Sequence, residues 1–162
     1  MRRTQKGFSL IELLIVVTII LVVAAVAIPN LLRSRMSANE TSAVASLRTV
    51  ITSEIVYSST YTVGFAANLT SLSDGGSPAN CVPPAIPSAT AACLLDSSVS
   101  SGIKSGYAFT YTATSGGGFN SSFTLNADPV NSGSGQRHFY TDDSDVLRVN
   151  TSVTASASDP AL

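Results

Sequence analysis

The chain has 162 residues, with nine Lys and Arg against ten Asp and Glu and a formal net charge of −1 at pH 7. That length allows about one domain, and the balanced charge excludes both the basic footprint of a nucleic-acid binder and a strongly acidic disordered tail. Charged residues are only 12% of the total while mean hydropathy is positive at +0.31, a combination that points to a concentrated membrane segment.

That segment stands at the front. Arg2, Arg3 and Lys6 precede the run FSLIELLIVVTIILVVAAVAI from Phe8 to Ile28, which only Ser9, Glu12 and Thr18 interrupt. Twenty-one helical residues span about 31 Å, close to the hydrocarbon thickness of a bilayer. No glycine falls between residues 8 and 63 to invite a break. The basic cluster holds the N-terminus in the cytoplasm by the positive-inside tendency and sends the rest outward. A cleavable signal peptide is the competing reading, with Ala25-Val26-Ala27 ahead of Pro29 as its cleavage site. The length of the run and an acidic residue near its start both oppose it.

Glu12 is the informative position. A carboxylate in a bilayer-spanning helix costs about 2.5–3.5 kcal/mol at the midplane and less near the edge. A tolerated interfacial charge is one reading; a carboxylate that needs a cation is the other. No basic residue lies between Lys6 and Arg33, so the partner is a headgroup, a basic residue before the helix, or a newly made α-amino group.

The segment Lys6-Gly7-Phe8-Ser9-Leu10-Ile11-Glu12-Leu13-Leu14-Ile15-Val16-Val17 resembles the cleavage and methylation signature of type IV pilins and type II secretion pseudopilins. The resemblance implies that a prepilin peptidase cuts after Gly7 and N-methylates Phe8. It implies that Glu12 pairs with the Phe8 terminus of a neighbouring subunit during assembly. The partners it implies are copies of the chain in a helical filament, the peptidase, an inner-membrane assembly platform, and membrane lipid before assembly. No nucleic acid and no cofactor are expected. The location that follows is a single pass of the bacterial inner membrane, then a filament that spans the periplasm or reaches the cell surface. Loss of residues 1–7 removes Arg2, Arg3 and Lys6, leaving six basic against ten acidic side chains, a net of −4.

Beyond the span, Pro29 lacks an amide hydrogen and is expected to kink the helix; pilins of this kind commonly carry a proline there. Val44, Leu47, Ile51 and Ile55 recur at helical steps and predict an amphipathic continuation over 29–60, docking on the rest of the chain. Arg33, Arg35, Glu40, Arg48 and Glu54 are assigned to a solvated opposite face or to contacts between subunits. Residues 61–106 read as a long αβ loop. Strands are predicted at Tyr107–Thr112, Phe119–Ala127, Arg137–Thr141 and Val146–Val149, with Gly116-Gly117-Gly118 turning the first pair. The expected fold is therefore α+β: a long N-terminal helix packed on a three- or four-stranded antiparallel sheet over 107–150, as in the family's lollipop-shaped pilins. Residues 151–162 are expected to form a flexible tail.

Cys81 and Cys93 lie on the outward side, where a disulfide between them is expected and is worth about 2–4 kcal/mol. Family members with paired cysteines place them nearer the C-terminus, so that loop is not carried over. Asp142, Asp143 and Asp145 are a weak calcium candidate beside a plain acidic turn; no other metal is expected. His138, the sole histidine, has no partner spacing that supports catalysis. The expected function is a structural, non-enzymatic subunit of a type IV pilus. A major pseudopilin of type II secretion and a signal-anchored envelope domain that never polymerises are the alternatives.

Overall fold

The computed structural model describes residues 7–162. Most of the predicted leader, with Arg2, Arg3 and Lys6, therefore lies outside the described residues. The chain divides into two compact units, one ending at Arg35 and the other running from Met36 to Leu162. One helix, α1 (Leu10–Tyr61), supplies the regular structure of the first unit among the described residues and opens the second. It continues through Pro29 without a break in its helical assignment.

In the second unit α1 buries Ala43, Leu47, Val50 and Tyr57. These residues are spaced four, three and seven apart, so they lie on one face. The face differs from the predicted stripe by a rotation: Leu47 and Ile51 are buried, but Ile55 is 52% exposed. Glu54 is fully buried and Glu40 only 8% exposed, which corrects their assignment to a solvated face. Periodicity near 3.6 accepts either of two adjacent stripes. Hydrogen-bond donors far along the chain select the stripe that carries both glutamates.

The loop between helix and sheet is built from short pieces. These are α2 (Leu69–Leu72), a 3-10 turn at Pro78–Cys81 and α3 (Ser97–Ser100). Asn68 caps α2 by accepting from the Ser71 N–H, and Asp96 caps α3 by accepting from Ser98. Cys81 and Cys93 form the expected disulfide, with their Cα atoms 5.7 Å apart.

Five strands follow in an antiparallel meander: β1 (Ile103–Lys104), β2 (Tyr107–Gly116), β3 (Phe119–Pro129), β4 (His138–Asp142) and β5 (Arg148–Asn150). The added strand is β1, too short to show a period of its own. Gly117 and Gly118 make the β2–β3 turn with φ of +68° and +92°, the left-handed pair that a two-residue hairpin loop requires. Register sets Phe109 against Ala127 and Ala127 against Phe139, so alternate residues of three strands share one inward face. Phe123 anchors an aromatic cluster, stacking on Tyr111 at 5.7 Å and meeting Phe65 edge-on at 4.9 Å.

Residues 151–162 are tied down, which corrects the expected flexible tail. The Val149 N–H donates to Pro160 C=O and the Leu162 N–H to Leu147 C=O. Asn126 Nδ2 donates to Ala155 C=O at 2.7 Å, and Ala155 is 3% exposed. The reason is edge chemistry: β5 leaves main-chain groups open on its outer side, and the tail satisfies them.

Candidate functional site

The first unit carries the residues that the sequence singled out for processing and assembly. Residues 7–9 precede the helix, and Ser9 C=O accepts the Leu13 N–H at 3.3 Å. Ser9 is thus the N-cap of α1, and Glu12 stands at the third helical position. The Ser9 N–H donates to Glu12 Oε2 at 2.9 Å, the carboxylate half of a capping box. Gly7 and Phe8 lie outside the helix, with Phe8 81% exposed. Both residues are exposed.

Glu12 Oε1 has no hydrogen-bond partner and Glu12 no ion pair among the described residues. The second polar interruption is handled internally, because the Thr18 hydroxyl donates to Leu14 C=O at 2.7 Å. Every other side chain from Leu10 to Ile28 is apolar. An 18-residue window of α1 has a mean hydropathy of 3.1 and none of its residues buried. An apolar surface of that extent needs lipid or protein to cover it.

In the second unit, the two buried glutamates of α1 are each met by groups distant in sequence. Glu40 Oε1 accepts the N–H groups of Gln136 and Arg137, at 2.9 and 3.3 Å, and Arg137 Nε donates to Glu40 Oε2 at 2.7 Å. Burial opposes charge on Glu40, but these donors and the guanidinium outweigh it and hold the carboxyl below its ordinary range. Arg137 also lies over the Phe139 ring at 5.5 Å. Tyr107 donates to Arg137 C=O at 2.8 Å; burial and the nearby Glu40 charge push its hydroxyl up to about 12. The ion pair lines a polar concavity of about 710 Å³ with Asn131, Gln136 and His138.

Among the described residues Glu54 has no such cation. Burial drives its carboxyl up, with the contacts of the Tyr111 hydroxyl and the Ala66 N–H working against that rise. The sequence assigns both glutamates to a solvated face or to contacts between subunits, although each lies seven residues from Leu47 and so close to its face. That spacing was the available signal.

The remaining positions divide as follows. Asp142 accepts from the Ser144 N–H at 3.0 Å and from the Tyr140 hydroxyl at 3.2 Å. Burial opposes its charge, but the Ser144 and Tyr140 donors outweigh it and hold the carboxyl below its ordinary range. Asp143 and Asp145 are exposed and do not gather with Asp142: no cluster of three metal-capable side chains occurs among the described residues. His138 Nδ1 lies 2.6 Å from Asp128 Oδ1.

Residues 2–28 match the family described as the prokaryotic N-terminal methylation motif. A capped helix with an exposed apolar surface opens on that motif and is followed by an antiparallel sheet. The chain is 47% identical over 81 residues to the type IV wide pilus major component PilA4 of Thermus thermophilus. That alignment covers 48% of this chain and about three fifths, 61%, of the relative. No solved structure matches the chain.

Proposed function

We propose that the chain is a structural subunit of a type IV pilus, cleaved after Gly7 by a prepilin peptidase, N-methylated at Phe8 and polymerised through α1. The observation that carries this reading is the uncovered apolar surface of α1, whose most hydrophobic window has no buried residue. Before assembly the bilayer covers it, with the leader in the cytoplasm and the rest of the chain outside the inner membrane. After extraction by the assembly platform, copies of the same helix cover one another. A contact of this kind repeats without closing and so generates a fibre.

Glu12 supplies register. Cleavage creates an α-ammonium on Phe8, which a single methylation leaves cationic. In an apolar filament core this cation and a neighbour's Glu12 neutralise one another, and an out-of-step subunit leaves both charges unpaired. The capping bond to Ser9 uses one carboxylate oxygen, and the second is available to the neighbour. On this reading residues 1–7 are the leader, 8–28 the membrane and assembly helix, and Pro29 a point of bending. The relative's role as a pilus component favours the pilin over the pseudopilin.

Mass spectrometry of the mature N-terminus tests the proposal. The expected product begins with methylated Phe8; an intact Met1, or a start after Ala27, overturns it.

A further inference from the structure

Glu54 sits in a ring of short contacts that only one proton arrangement satisfies. The Ala66 N–H donates to Glu54 Oε2 at 2.9 Å. The Tyr111 hydroxyl oxygen lies 2.6 Å from Glu54 Oε1 and 2.8 Å from Ala66 C=O. A phenol has one proton to give, and a carbonyl oxygen has none. If Glu54 were ionised, one of these two oxygen–oxygen contacts would hold no proton and would set lone pairs against each other. With the carboxyl protonated, both contacts close. Glu54 Oε1–H then donates to Tyr111, the Tyr111 hydroxyl donates to Ala66 C=O, and the Ala66 N–H returns to Glu54 Oε2. Each residue gives one hydrogen bond and receives one.

The surroundings favour the same state. Glu54 is 0% exposed, and its ion-pair partners among the described residues are none. Its own helix offers Tyr57, whose hydroxyl is committed to Ala89 C=O at 2.7 Å. From β2 the only titratable group facing it is Tyr111, itself pushed upward by burial first and by Glu54 second. The connecting segment contributes Ala66, while Phe65 and Phe123 pack on one another and Tyr111 stacks on Phe123. A lone carboxylate in such a site pays the full cost of desolvation, and protonation removes it.

We propose that Glu54 is a neutral carboxylic acid in the folded protein, closing a three-residue hydrogen-bond ring that makes the C-terminal unit a pH-sensitive clasp. The ring ties α1 to the segment after it and to β2, so ionising Glu54 loosens all three together. The direction is fixed by linkage. A carboxyl whose pKa is raised on folding contributes fully below its unfolded value and loses that contribution as pH rises through the folded value. Between the two, folding takes up one proton, so the unfolding constant increases about tenfold per pH unit.

Full-length protein in detergent micelles, unfolded by denaturant between pH 5.5 and 8, provides the test through wild type and Glu54→Gln. Glutamine reproduces the neutral ring, with its amide N–H donating to Tyr111 and its carbonyl accepting from Ala66. The expected result is a variant at least as stable as wild type at pH 8, with the roughly tenfold-per-unit slope removed. Comparing the two proteins cancels every other titrating group. A variant more than tenfold less stable at pH 8, or a wild type whose stability relative to the variant rises with pH, overturns the proposal. If Glu54→Gln fails to fold, the wild type still decides. Isotope-labelled glutamate must give an infrared carbonyl band of a protonated acid at neutral pH, and its absence refutes the neutral ring.

Discussion

Replacing Glu40 by alanine tests whether the α1–β4 junction is held by the donors that converge on this carboxylate. Glu40 accepts the N–H groups of Gln136 and Arg137 and pairs with the Arg137 guanidinium. Truncation leaves these donors without their acceptor. A backbone N–H deprived of its partner costs about 1–3 kcal/mol where it is buried, and these two are only partly so. The adjoining concavity of about 710 Å³ admits water, which argues for about 1 kcal/mol for each N–H. The Arg137 side chain is 40% exposed, so the ion pair itself adds at most about 1 kcal/mol. The expected loss is about 2–3 kcal/mol. Chemical unfolding of the full-length protein in micelles, followed by tyrosine circular dichroism because the chain has no Trp, measures it. The pH dependence gives a second readout with a defined sign. Glu40 is held below its ordinary value of 4.5, so its contribution is present above that value and is lost as pH falls through the folded value. Glu40→Ala must therefore flatten the acid side of the stability profile. A loss below about 0.5 kcal/mol, or an unchanged acid limb, would refute the reasoning because it would fall below the cost of even one orphaned donor.

The Cys81–Cys93 disulfide closes a loop with a sequence separation of 12, for which the chain-entropy relation gives about 3 kcal/mol. Substituting both cysteines by serine should lower the denaturation midpoint accordingly, and a change under about 1 kcal/mol would show that the loop is held by its other bonds. Glu12→Val should leave insertion and cleavage intact but cost roughly 3–5 kcal/mol per subunit contact, the penalty of stranding one member of a buried charge pair. Electron microscopy of cells carrying the variant should find filaments lost or severely depleted; wild-type numbers would remove Glu12 from assembly.

The N-terminal unit was legible in the residues because its behaviour is set locally. An apolar run of that length and a short motif with Glu12 at fixed spacing from Gly7 are local features, readable without the rest of the chain. The hairpin was legible for a similar reason: Gly117-Gly118 satisfies a turn that demands positive φ, and alternation on either side sets the inward face. The two-residue β1 and the anchored tail were not, because each exists only where an already formed strand presents unpaired main-chain groups.

The two glutamates of α1 mark the boundary most clearly. From sequence they are charged residues on a helix, and solvent is their default environment. Their partners lie 96 residues away at Gln136, for Glu40, and 57 away at Tyr111, for Glu54. Sequence alone determined that this protein has a helix long and apolar enough to cross a membrane, opened by a methylation-type motif, and a sheet-forming C-terminal region. Only the tertiary structure decided which stripe of α1 faces inward, and which of its carboxylates meets a cation and which a phenol. Burial of a charge depends on whether donors arrive from elsewhere, and their arrival is a property of the fold.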